Sequence, residues 1–190
     1  MNYTKLPKGY KKIGIIDLDS KRSPQKRRVN LIAMILAVAL AILGYQLHPF
    51  DEGTKALFEK VWVLMALLAV LFTWMVLREV VQGVAMRLLS GVKSRYAVRS
   101  LYVYAGSSAY FDRRSFVIIS LAPALLFGLI LAVLALVLPK DWFWLVMIVQ
   151  IANIAGSASD FYSFARFLRF PKDALIQDLG TGMKVFGMKK

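Results

Sequence analysis

The stretch Leu77-Arg78-Glu79-Val80-Val81-Gln82-Gly83 has the spacing of H-E-x-x-H-G, the helical zinc motif, with neither histidine present. In an intact motif two imidazoles four residues apart share one helix face and bind zinc. The glutamate beside them activates a zinc-bound water. Here Arg78 stands at the first ligand position, Gln82 at the second and Glu79 at the position of the general base. A guanidinium stays charged and an amide is a weak donor, so neither replaces an imidazole on zinc. The chain has no Cys and a single histidine, His48, which leaves no thiolate site, no disulfide and no Cys nucleophile. On a plain helix end at a membrane surface, the same Arg78 would simply reach up to lipid phosphate.

A second set of polar residues is Gln150, Asn153, Ser157 and Asp160. Their spacing of three and four puts them on one helix face. Polar residues within an apolar span face the interior of a bundle, and an acid there marks a functional site by default. Arg78, Glu79, Gln82, Gln150, Asn153, Ser157 and Asp160 are therefore expected to form one interior polar cluster. Arg78 is expected to pair with Asp160, with Gln82 hydrogen-bonded in the same group, since arginine binds carboxylate in a two-pronged fashion.

The elements that must carry these residues are membrane spans. The chain of 190 residues is 58% hydrophobic, and its mean hydropathy of +0.58 is too high for a soluble domain of this size. Val29–Leu47 is free of charge over about 28 Å of helix, enough to cross the hydrocarbon core. A second helix is expected over about 58–89, with Trp62 and Trp74 as interfacial aromatics and Gly91 as its stop. The third span covers about 115–138 and contains Pro123; the fourth covers about 142–160. Between spans two and three, aromatic and β-branched residues flank Ala105-Gly106-Ser107-Ser108, which suggests a β-hairpin turning there. Such a hairpin is either a connector or a receptor for an extended peptide.

The fold class expected is thus an all-α membrane protein of four transmembrane helices with a short cytoplasmic β-hairpin between helices two and three. Residues 1–28 form a basic arm, 29–168 the membrane domain and 169–190 a basic tail. Ser23-Pro24 is read as a helix break, and Phe161, Phe164, Phe167, Leu168 and Phe170 as an amphipathic face lying on the membrane. Of the 25 Lys and Arg, only Lys55, Lys60 and Lys140 fall in the two loops on one side. The positive-inside rule then places both termini and the hairpin in the cytoplasm, in a multi-pass protein of the cell membrane. The formal charge of +14 lies around the spans, so it points to anionic lipid headgroups rather than nucleic acid. Lys21, Arg22, Lys26, Arg27, Arg28, Arg113, Arg114, Arg166 and Arg169 are the expected membrane-surface cations.

In this order the chain resembles the small membrane-embedded putative zincin peptidases, distant relatives of the site-2 intramembrane metalloproteases. The residues that carry the resemblance are Leu77–Gly83, the 94–114 hairpin, Ala122-Pro123 and the run Asn153-Ile154-Ala155-Gly156-Ser157-Ala158-Ser159-Asp160. The resemblance spans about residues 29–180. It implies that Asp160 matches a third zinc ligand and Glu79 the catalytic base, while Arg78 and Gln82 depart from the two histidines. Without imidazoles no water is activated. The resulting expectation is a non-catalytic homologue with no metal and no cofactor, acting as an adaptor or regulator for another membrane protein. The alternative is an accessory subunit of a larger membrane complex with no protease ancestry. An active peptidase ranks behind both.

Overall fold

The computed structural model describes residues 2–18, 23–99, 102–180 and 182–188. In chain order these form strand β1 (Tyr10–Ile16), helices α1 (Pro24–Leu47), α2 (Glu52–Phe58) and α3 (Val61–Ser90), and strands β2 (Arg95–Arg99) and β3 (Tyr102–Gly106). Helix α4 (Arg113–Val137), a 3-10 turn (Lys140–Trp142), helices α5 (Phe143–Gly156) and α6 (Ala158–Phe167), and strands β4 (Leu175–Asp178) and β5 (Met183–Met188) follow. Among the described residues four segments are long and apolar enough to cross a membrane: α1, α3, α4 and the run Lys140–Phe167. Their outward faces carry Met34, Val38, Leu129 and Leu136, all exposed, which lipid tails solvate and water does not. The molecule is a membrane protein.

Local sequence explains where the helices begin and end. Ser23 and Pro24, read from the sequence as a break, are instead the start of α1. The Ser23 hydroxyl accepts from the Gln25 N–H at 3.2 Å, and Pro24 sits where no N–H is needed. Lys26, Arg27 and Arg28 therefore ride on the first turns of α1 rather than on an arm. Asp112 caps α4 in the same manner, accepting from Ser115 N–H at 2.9 Å. Helix α3 closes on Gly91 with φ 71°, a left-handed cap that glycine adopts without strain. The last span is interrupted: Ser157 leaves helical geometry between α5 and α6, and its hydroxyl donates to the Asn153 carbonyl at 2.8 Å.

The helices pack with α5 against α1 and α4, and α3 against α4. At one end of the bundle α2 rests on the 3-10 turn, and the indole of Trp144 donates to the His48 carbonyl at 3.0 Å. The zinc-frame residues lie at the opposite end, where the strands gather.

Both sheets depart from the sequence reading. Strands β2 and β3 form an antiparallel hairpin in which Arg95 faces Gly106 and Arg99 faces Tyr102. Ala105 and Gly106, expected at the turn, are instead paired strand residues opposite Tyr96 and Arg95. Gly106 ends the hairpin beside the Leu179 backbone, where an added Cβ would lie 2.8 Å from the carbonyl. The chain then continues to Phe111, which bridges to Ile176. The second departure is larger. The arm and the tail join in one antiparallel sheet of order β1-β5-β4, so the mostly helical fold carries a second small sheet besides the expected hairpin. Its inner face buries Ile16, Ile176 and Val185 with the bridging Phe111 against Met86 of α3 and Phe116 of α4. The aromatic face of α6 closes this core rather than lying on a membrane. Phe167 is fully buried with its ring edge-on to Phe116 at 5.5 Å, and Phe164 and Phe170 pack beside it. An aromatic stripe prefers a protein core to a headgroup layer once such a core exists, because burial there excludes water completely.

Candidate functional site

Helix α3 presents Arg78 and Glu79 toward α6 and β3. The Arg78 guanidinium donates through Nη2 to Asp160 Oδ2 and through Nη1 to Glu79 Oε1 at 3.1 Å. The other Glu79 oxygen, Oε2, accepts from the Ala105 backbone N–H at 2.9 Å. Glu79 therefore joins the ion pair to the hairpin backbone. Both carboxylates are buried, with Glu79 9% and Asp160 5% exposed. A buried pair of this kind is costly to break: removing one partner leaves an uncompensated charge, worth about 3–5 kcal/mol. The third guanidinium nitrogen, Nε, is buried without a partner.

A residue outside the sequence reading completes the group. Asp178, at the end of β4 and 2% exposed, lies close enough to Asp160 and Glu79 to sense their charges. Burial is the main force pushing its carboxyl up, to about 7; the two neighbouring carboxylates add to this, and the Gly180 N–H opposes it. That N–H donates to Asp178 Oδ1 at 2.8 Å. The Asp178 carbonyl in turn accepts from Ser107 N–H at 2.8 Å, fastening β4 to the segment after β3. Arg78 thus pairs with two acids, from α3 and α6, and a third, from β4, lies within electrostatic reach of both. The available signal for Asp178 was the run Leu175-Ile176-Gln177-Asp178 before Gly180 and Val185-Phe186, two short β-prone segments about a glycine turn.

The remaining expected members of the cluster do other things. Gln82 is buried, yet among the described residues no hydrogen bond joins it to the three charged side chains. Asn153 is fully buried and donates to the Ala124 carbonyl of α4 at 3.0 Å. Gln150 reaches the Gly128 carbonyl at 3.5 Å. Ser157 turns back on its own helix. Asn153 and Gln150 hold α5 against α4 and Ser157 satisfies a carbonyl at the break, instead of extending the charged group. Gly83, beside the frame, is a packing glycine. The Tyr96 ring and phenol oxygen of β2 lie where a Cβ would stand, and Ser94 Oγ donates to the Gly83 carbonyl at 2.6 Å.

Of the expected surface cations, Lys21 and Arg22 lie outside the described residues. Arg27, Arg28, Arg114 and Arg169 are exposed, and Lys26 and Arg166 half-buried. Arg113 is a tether: its guanidinium donates to the Phe170 carbonyl at 2.8 Å and to Leu168 at 3.3 Å, tying the start of α4 to the loop after α6.

Residues 71–175, more than half of the chain, match the model of a family described as putative zincin peptidases. The chain belongs to the putative zincin peptidase family. No curated protein and no solved structure matches it. The match covers the Arg78–Gln82 frame, the hairpin and Asp160, and stops at the start of β4, short of Asp178. The zinc implied by the family's description does not fit the residues present. Among the described residues no group of three His, Cys, Asp or Glu side chains could hold a metal. The group that lies between Glu79 and Asp160 is itself a cation, the Arg78 guanidinium.

Proposed function

We propose that this family member is a pseudo-peptidase, a non-catalytic membrane protein that keeps the scaffold to bind another membrane protein as adaptor or regulator. The observation that carries this reading is the ion pairing of Arg78 with both Glu79 and Asp160. A fixed guanidinium in contact with both carboxylates supplies the positive charge that a metal would otherwise bring, and repels a metal ion from the same place. Glu79, held by Arg78 and the Ala105 N–H, then orients the hairpin against α3 and is not free to take a proton from water. The partner would lie against the apolar groove between α3 and α4, a cavity of about 310 Å³ lined by Val70, Trp74, Leu77, Phe127 and Leu131. Both termini and the sheets lie on the cytoplasmic side in this reading, since the strand-bearing end holds nearly all the basic residues.

The experiment is metal analysis of the purified full-length protein beside the double variant Arg78→His/Gln82→His. The native chain is expected to carry far less than one zinc per molecule. The variant, which restores both imidazoles beside Asp160, is expected to retain about one. A full equivalent of zinc in the native protein overturns the proposal. Photo-cross-linkers at Val70 and Leu77 test the partner face against Leu129 and Leu136 as lipid-facing controls; equal capture at all four positions argues against it.

A further inference from the structure

Away from the charged cluster, a cavity of about 370 Å³ opens between α1 and α6. Its lining combines three arginines, Arg28, Arg166 and Arg169, with Tyr162 and the apolar Leu31, Ile32 and Ala165. Arg28 rides on the first turns of α1 and Arg166 on the last turn of α6, with Arg169 just beyond. The two walls therefore meet where hydrocarbon gives way to headgroup. Among the described residues no ion pair or hydrogen bond holds any of these three guanidinium groups. The Tyr162 phenol oxygen is buried and has no hydrogen-bond partner.

Three like charges around one cavity repel one another unless an anion separates them. A buried phenol hydroxyl without a partner is costly as well. Both costs are removed by one ligand of the right shape: an anion with several acceptor oxygens and an apolar stem. We propose that this cavity binds the headgroup phosphodiester of an anionic phospholipid. The arginines donate to its oxygens in the forked manner guanidinium favours. The Tyr162 hydroxyl adds a further donor, and Leu31, Ile32 and Ala165 cover the glycerol and first methylenes. Basic pockets between transmembrane helices on the cytoplasmic side hold such headgroups by this chemistry. The site bridges α1 and α6 and is independent of the pseudo-peptidase reading.

Native mass spectrometry of the full-length protein in mild detergent tests the site. The probes are phosphatidylglycerol, phosphatidylcholine of the same chain length, and inorganic phosphate. One phosphatidylglycerol is expected to bind at least tenfold more tightly than phosphatidylcholine. Each arginine contributes about fivefold, so Arg166→Gln/Arg169→Gln lowers the affinity about 25-fold, and Arg28→Gln about fivefold from the opposite wall. Tyr162→Phe, which removes one donor to the phosphodiester, also lowers phosphatidylglycerol affinity. The equal-charge control Lys11→Gln/Lys12→Gln, on exposed positions of β1, leaves it within about twofold. Equal binding of the two lipids overturns the proposal, as does an equal loss in the lysine control, which would mean charge without a site. Displacement of the lipid by inorganic phosphate at matched concentration would also overturn it, by making free phosphate the ligand.

Discussion

Asp178 shows how one side chain acquires its chemistry from neighbours distant in sequence. Its carboxyl is held up near 7 by burial first and by Asp160 and Glu79 second. The usual unfolded value is about 3.9. Between those two values the folded chain keeps a proton that the unfolded chain has lost. Stability therefore falls as pH rises from about 4 to about 7 and is level above that. The slope from this group approaches about 1.4 kcal/mol per pH unit. Asp178→Asn keeps a carbonyl oxygen for the Gly180 N–H but cannot ionise. It should match the native protein near pH 4 and exceed it in stability at pH 8, by up to roughly 4 kcal/mol. Unfolding in detergent micelles across that range measures the difference. Parallel curves for the two proteins would mean that Asp178 carries no such proton. The ion pair at Arg78 was legible from spacing and charge, because residues at matching ends of two spans meet at one depth. Asp178 was not, since nothing local distinguishes a tail acid on the surface from one beneath a sheet.

The elements are joined by close backbone approach, and two glycines make this testable. At Gly83 the obstacle to a Cβ is the Tyr96 side chain; at Gly106 it is the Leu179 backbone. Alanine in a helix interior is favoured over glycine by about 1 kcal/mol. Gly83→Ala should therefore lose that gain to collision with Tyr96, and recover it when Tyr96 is also Ala, giving a coupling of about 1–3 kcal/mol. Gly106→Ala should be more damaging and should not be rescued by Tyr96→Ala, because a backbone cannot step aside. Thermal unfolding of the single and double variants decides this; additive effects at Gly83 and Tyr96 would refute the contact. The existence of the hairpin was readable in its aromatic and β-branched composition. Its register was not: Gly106-Ser107 looks like a turn in sequence, yet Gly106 is small to let the Leu179 backbone just after β4 approach.

At the scale of the molecule, the N-terminal strand and the C-terminal hairpin fold as one sheet over the ends of α3, α4 and α6. Ile16, fully buried, is contributed by β1 to the core shared with Val185 and Met86. Deleting residues 2–16 exposes the β5 edge and opens that core. Tryptic cleavage after Lys184 should then accelerate about tenfold or more, as local protection follows packing. Equal resistance of the tail with and without residues 2–16 would show that the strands are not cooperative. Composition hid this sheet, since β1 carries Lys11 and Lys12 and leaves Ile13 and Ile15 exposed, so its charge dominates any alternation.

The sequence by itself determined the membrane class, the four apolar segments and the clustering of basic residues at one end. These depend only on local composition, because about 20 apolar residues suffice to cross lipid wherever they occur. It also placed Arg78, Glu79 and Asp160 at comparable depth. The tertiary structure alone decided that Asp178 and the Ala105 N–H join them, that Gln150 and Asn153 bind α4 instead, and that arm and tail pair. Each of these is a contact between segments far apart in the chain, set by strand register and by which faces bury together.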